Sequence, residues 1–203
     1  MNWQEFTALM VFATAMSFTP GPNTTLSTTL AANHGLRRTL PFIASVAVGW
    51  GCLLTFCALG LGALVLAVPL LGLVVKTVGV AYLLFLAFKL MGIRKLVEAD
   101  ASRPGISFFQ GAALQLVNIK AWMLALAIVS GWVAGRADAG QRLALVLPLM
   151  MAFALASNLT YALAGSLLRE WLAGPFGLGR RLVLFNRVMA FVLVLTAGWM
   201  FLL

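Results

Sequence analysis

Six apolar stretches, near residues 6–33, 40–68, 70–92, 106–134, 143–168 and 182–203, take up most of the 203-residue chain. Each exceeds the ~20 residues that cross a bilayer as a helix. Unpaired backbone groups are costly in hydrocarbon, so stretches of this length have to be helical. The expected fold is an all-α integral membrane protein, a six-helix transmembrane bundle filling residues 1–203 as a single domain. A soluble fold could not hide the side chains: 63% are hydrophobic and 9% charged, with a mean hydropathy of +1.03.

The net charge of +9 does not point to nucleic acid, because the basic residues sit in short loops between spans. Arg37 and Arg38 lie between the first and second spans, Arg94, Lys95 and Arg103 between the third and fourth, and Arg169, Arg180 and Arg181 between the fifth and sixth. The remaining loops carry only Arg136 and Arg142. The positive-inside rule places the three basic loops in the cytoplasm of a bacterial cell and both termini in the periplasm. The first apolar run is no signal peptide: it lacks a basic start, carries Glu5, and its Ala13-Thr14-Ala15 only resembles a cleavage site. Cys52 and Cys57 are spaced off a common helical face and read as apolar packing, and His34 alone makes no metal site. No metal or cofactor is expected. Lys76, Lys89 and Arg187 lie within two turns of span ends and can snorkel to the interface.

Two halves of the chain, about 1–95 and about 104–203, share weak landmarks. TLPFIASVAVGW from Thr39 aligns with VLPLMMAFALAS from Val146 at a shift of 107, pairing Pro41 with Pro148. KTVGVAYLLFLAF from Lys76 aligns with RVMAFVLVLTAGW from Arg187 at a shift of 111. Three spans per unit bring the second copy in from the opposite side, an inverted repeat of the kind used by transporters. The first helix of each unit is also interrupted. Pro20, Gly21 and Pro22 remove two backbone donors inside the first span, and Gln115, Asn118 and Lys120 cluster near the middle of the fourth. Interruptions at matching places mark a binding site near the midplane.

Lys120 is the only ionisable group deep inside a span, and no carboxylate is placed to pair with it; such a charge costs at least ~2.5 kcal/mol to insert. Two roles stand open. It can meet a substrate carboxylate, with Gln115 and Asn118 hydrogen bonding alongside, or it can tie onto carbonyls freed by Pro20 and Pro22. Asn23 follows the break and suits a helix cap whose amide end attracts an anion. Thr24, Thr25, Ser27, Thr28 and Thr29 either line a wet path or bond their own helix. Asn158, Tyr161 and Asn186, with Tyr82, form a second tier suited to interhelical hydrogen bonds. Gly131 and Gly135 have the small-xxx-small spacing of a packing face.

FTPGPNTTL, HGLRR, SFFQGAALQLVNIKAW and NRVMAFVLVLTAGWMF together resemble the lysine-exporter (LysE/RhtB) family of amino-acid efflux proteins over essentially the whole chain. Within it, ALQLVNIK and NLTYALAGSLL are most similar to the cysteine and O-acetylserine exporters. The resemblance implies efflux of small neutral amino acids or derivatives, of the cysteine/O-acetylserine or the threonine/homoserine kind, across the inner membrane. It also implies proton-driven antiport without ATP, and a homodimer. Carried over by position, Pro20, Gly21, Pro22, Asn23, Asn118 and Lys120 matter most. Where the family commonly has Asn-Pro-Lys, this chain has Asn118-Ile119-Lys120, so the fourth span is expected to be less broken than the first. A channel for small anionic or zwitterionic solutes is the competing reading; an enzyme lacks a base or a metal site.

Overall fold

The computed structural model describes residues 1–62, 67–93, 106–174 and 180–202. Arg94, Lys95, Arg103, Glu98 and Asp100 lie outside the described residues, as do the inner ends of the two repeats. Every described element is helical.

Helix α1 (Trp3–Phe18) starts on a reciprocal cap: the Glu5 N–H donates to Asn2 Oδ1 at 2.8 Å and the Asn2 N–H to Glu5 Oε2 at 3.0 Å. It stops where Pro20 and Pro22 withdraw their donors. Helix α2 (Pro22–His34) restarts with Pro22 in the first turn, where a missing N–H costs nothing, and closes at Gly35, whose φ of 85° suits glycine. Helix α3 (Leu36–Ala58) contains Pro41, and α4 (Pro69–Met91) follows. Helices α5 (Phe108–Val117) and α6 (Ile119–Ile128) meet at Asn118, and a π-helical turn, Val129–Val133, extends α6. The chain bends by 69° between Phe108–Val117 and Ile119–Val133, so the fourth apolar stretch is broken even without a proline. Helix α7 (Ala139–Ala173) runs 35 residues with Pro148 inside it, and α8 (Arg180–Leu202) completes the bundle.

Four helices, α3, α4, α7 and α8, are each long and apolar enough to cross a membrane, and the bent α5–α6 pair makes a fifth if taken as one span. Helices α1 and α2 have only 16 and 13 residues. The break divides what reads in the sequence as one long span.

Most of α3 is buried, whereas α4, α7 and α8 turn much of their apolar surface outward, as lipid-facing helices do. Close approaches depend on absent side chains. A Cβ on Gly165 would run into the Thr28 carbonyl, which lets α2 lie directly on α7, and one on Gly49 would strike the Ala112 backbone, which seats α5 on α3. One apolar cluster joins Leu9 and Ala13 to Trp50, Leu54, Ile128 and Met150; a second joins Leu26 and Phe42 to Leu83, Leu114 and Leu193. Gly131 falls in the π turn, and Gly135, at φ 71°, lies past the helix end, so these two glycines share no helix face.

At the amino-terminal end an ionic cluster fastens α1 to α7. Arg142 donates to Asp138 at 2.7 Å and to Glu5 at 3.1 Å, and the Trp132 indole N–H donates to the Glu5 carbonyl at 2.8 Å. The Asn2 N–H holds the Glu5 carboxyl below its ordinary range; burial opposes it, and Arg142 and Arg136 add to the lowering.

Candidate functional site

The interruption between α1 and α2 leaves three consecutive carbonyls, those of Phe18, Thr19 and Pro20, at the end of a helix that cannot continue. Other helices supply their donors. Tyr161 on α7 donates its hydroxyl to the Phe18 carbonyl at 2.8 Å. Lys120 on α6 donates its ammonium to the Thr19 carbonyl at 2.7 Å and to that of Pro20 at 3.4 Å. An ammonium has three protons, so one remains for a further acceptor. Across the gap, Gly21 closes the first turn of α2: its N–H donates to Thr24 Oγ1 at 2.9 Å, and the Thr24 hydroxyl returns to the Gly21 carbonyl at 3.1 Å. A Cβ on Gly21 would lie 3.2 Å from Lys120 Nζ, so the lysine reaches directly over the start of α2.

These groups border a cavity of about 60 Å3 lined by Ser17, Thr19, Gly21, Asn23, Asn118 and Lys120, with Trp50, Leu124 and Met150 as apolar wall. No carboxylate is among its lining residues. Near the break the positive end of α2 and the ammonium face the same space, while the negative end of α1 holds the lysine. The arrangement suits an anionic group on a small solute with an apolar remainder.

The sequence-picked residues divide. Asn23, Asn118 and Lys120 line the cavity, as do Gly21 and Pro22 of the break. Gln115 stands behind Asn23, fully buried; each amide donates to the other, at 2.8 and 3.1 Å, and Gln115 also reaches the Gly111 carbonyl. Asn118 begins α6 with its carbonyl accepting from Ala121 and Trp122, while its buried side-chain Oδ1 has no hydrogen-bond partner among the described residues. Asn158 lines the cavity and accepts from the Ser27 hydroxyl at 2.8 Å. Asn186 is remote from it and pairs reciprocally with Asn33, at 2.8 and 3.0 Å, and with the Ile93 carbonyl. Tyr82 packs against the second apolar cluster. Thr28 and Thr29 bond carbonyls of their own helix.

Sequence reasoning passed over Asn33, which sits one residue before His34 and reads as span end. A second asparagine ten positions after Asn23 in the same stretch was the available signal, and the structure buries its amide fully. Burial, followed by the charges of Arg169, Arg38 and Lys89, holds the neighbouring His34 imidazole below its ordinary pKa. Sequence reasoning also overlooked Trp50 and Ser17 in the cavity wall and the pairing of Glu5 with Arg142.

The family model described as LysE type translocator matches residues 14–203. The chain belongs to that family. The match covers both breaks and every residue lining the translocator's cavity except Ala13. Curated relatives include the cysteine/O-acetylserine efflux protein of Klebsiella pneumoniae subsp. pneumoniae, 29% identical over 163 residues, covering 80% of this chain and 83% of that one. Proteins of the same description from Salmonella choleraesuis and Escherichia coli O1:K1 are 27% and 28% identical with the same coverage. No solved structure matches. Family and apolar helices together make this an integral membrane translocator rather than an enzyme.

Proposed function

We propose that this translocator exports small neutral amino acids or close derivatives, of the cysteine and O-acetylserine or the threonine and homoserine kind, across the bacterial inner membrane by proton-coupled alternating access. The observation that carries this reading is the Lys120 ammonium with a proton to spare, set beside the start of α2 in a cavity whose lining has no carboxylate. The substrate carboxylate takes that proton and the open amides of α2, with Asn23 and Asn118 alongside. Its small side chain lies toward Trp50, Leu124 and Met150. A lysine or arginine substrate would bring a second cation next to Lys120, which disfavours basic amino acids. The names of the relatives agree with a small neutral substrate.

The bundle is read as six spans, α1–α2 and α5–α6 each being one broken span, in two inverted units. The packing supports this: α2 lies on α7 as α5 lies on α3, the reciprocal pair that a two-fold relation requires, and α3 on α7 and α4 on α8 set helices against their counterparts. Orientation follows the basic loops: both termini are periplasmic, and the ionic cluster of Glu5, Asp138 and Arg142 faces outward. The functional unit is a homodimer, as the resemblance implies. At about 60 Å3 the cavity holds a few waters, so the walls must part to admit an amino acid. Met16 and Met150, unbranched and adaptable, are the wall residues suited to yield.

The test is efflux from preloaded vesicles of labelled cysteine, O-acetylserine, threonine, leucine and lysine, in the intact protein and in Lys120→Ala. Saturable export of one or two small neutral compounds, lost in the folded variant, is the expected result. Normal export by Lys120→Ala would remove the carboxylate role. Non-saturable flux would turn the reading to a channel.

A further inference from the structure

The place where Lys120 lands has the chemistry of a cation site independently of any substrate. Helix α1 ends at Phe18, and the carbonyls of Phe18, the extended Thr19 and Pro20 follow in succession where the negative end of the helix dipole lies. Carbonyl ends of broken membrane helices are where small monovalent cations are coordinated. Neither the Thr19 nor the Pro20 oxygen is taken up by the helix, and inside a membrane protein such oxygens need a donor or a cation. The Phe18 carbonyl has a neutral donor, the Tyr161 hydroxyl. The other two receive a full positive charge at 2.7 and 3.4 Å. That charge has no anionic partner in the cavity lining, so the carbonyl end of α1 is what balances it.

We infer that the Thr19 and Pro20 carbonyls form a seat for a small monovalent cation, and that the Lys120 ammonium is its tethered resident. The chain carries on a side chain what other broken-helix sites take from solution. The native protein therefore has no use for Na+ at this position, and removing the side chain opens the seat to a free cation of similar size. Thr19 lines the cavity beside Lys120, which gives that cation a way in. The inference rests on the backbone geometry and stands whether or not the exported solute is an amino acid.

The experiment measures thermal unfolding of the full-length protein in detergent at constant ionic strength. The intact chain, Lys120→Ala and Lys120→Gln are each titrated with NaCl, ethylammonium chloride and tetramethylammonium chloride, and no transported solute is needed. Lys120→Ala should unfold earlier than the intact chain. It should regain a saturable rise of about 2–4 °C in ethylammonium or Na+, and none in tetramethylammonium, which is too bulky and has no N–H to donate. The intact chain should not respond. Lys120→Gln keeps an N–H donor of similar reach without the charge and should also unfold early. Wild-type stability in Lys120→Gln would overturn the inference by showing that a neutral donor suffices, as would equal responses in all three proteins or no response in Lys120→Ala.

Discussion

The two helix breaks solve one problem in opposite ways. Between α1 and α2, prolines remove donors from the backbone, and the carbonyls left behind are satisfied from a distance by Tyr161 and Lys120. Between α5 and α6 there is no proline, and the repair is local: Asn118 donates to Gln115 O at 3.4 Å, Ala121 and Trp122 donate back to Asn118 O, and the Trp122 indole reaches Leu116 O at 2.8 Å. A break sealed by its own chain keeps its shape whatever its neighbours do. A break sealed by two other helices changes when they move. On the proposed function, the first break is the one that responds to a solute, and the second is the frame it moves against.

The sharpest way to break this comparison is at the seat of α2. Gly165→Val would drive a side chain into the Thr28 backbone, which has no flexible end to give way. A loss of about 3 kcal/mol or more is expected, seen as failure to recover a monodisperse protein on size-exclusion chromatography. Gly131, with nothing near it, should accept alanine unchanged. Next comes the double substitution Pro20→Ala with Pro22→Ala, which returns both N–H groups to the backbone, the second of them four residues past the Phe18 carbonyl that Tyr161 now holds. Healing the helix should lower export at least ~10-fold, about 1.4 kcal/mol in rate, with the protein still folded; unchanged export would mean that the discontinuity itself is idle.

Tyr161→Phe keeps the ring and strands the Phe18 carbonyl, at a cost of about 1–3 kcal/mol, read as a fall in Tm. Trp122→Phe, at the locally sealed break, should cost less. The smallest effect is expected from Ile119→Pro. Residue 119 opens α6, where the helix leaves its N–H unused, and Asn118 at φ −90°, ψ 99° is already extended as a residue before proline prefers to be. Stability should stay within ~0.5 kcal/mol. A large loss would mean that the second break, too, depends on a bond not yet recognised.

The same contrast explains what was legible in the sequence. Pro20 and Pro22 announce their break because a missing N–H is a property of the residue itself. The bend at Asn118 could be placed only through a polar cluster, because Asn118-Ile119-Lys120 lacks the proline that would have marked it. Lys120 stood out as a cation without a carboxylate, and a tie to the carbonyls beside Pro20 and Pro22 was one of the two roles its position allowed; which carbonyls it meets, those of Thr19 and Pro20, depended on how α6 lies against the first break. Asn23, Gln115 and Asn186 were recognisable as polar groups needing company, and which amide met which depended on how α2 lies across α5 and α8. Asn33 and the Glu5–Arg142 pair were hidden for the same reason.

At 1.5 Å per residue the 35 residues of α7 make a rod of ~52 Å. Even tilted by 40°, near the limit seen for membrane helices, it needs only ~39 Å to clear a ~30 Å hydrocarbon layer. Some two turns must therefore stand in the headgroup zone or beyond it. The far end is fitted for that: Arg169, Glu170 and Trp171 follow one another there, and the Arg181 guanidinium stacks 4.9 Å from the centre of the Trp171 ring. A solute approaching this end meets a protein ledge before it meets the lipid surface.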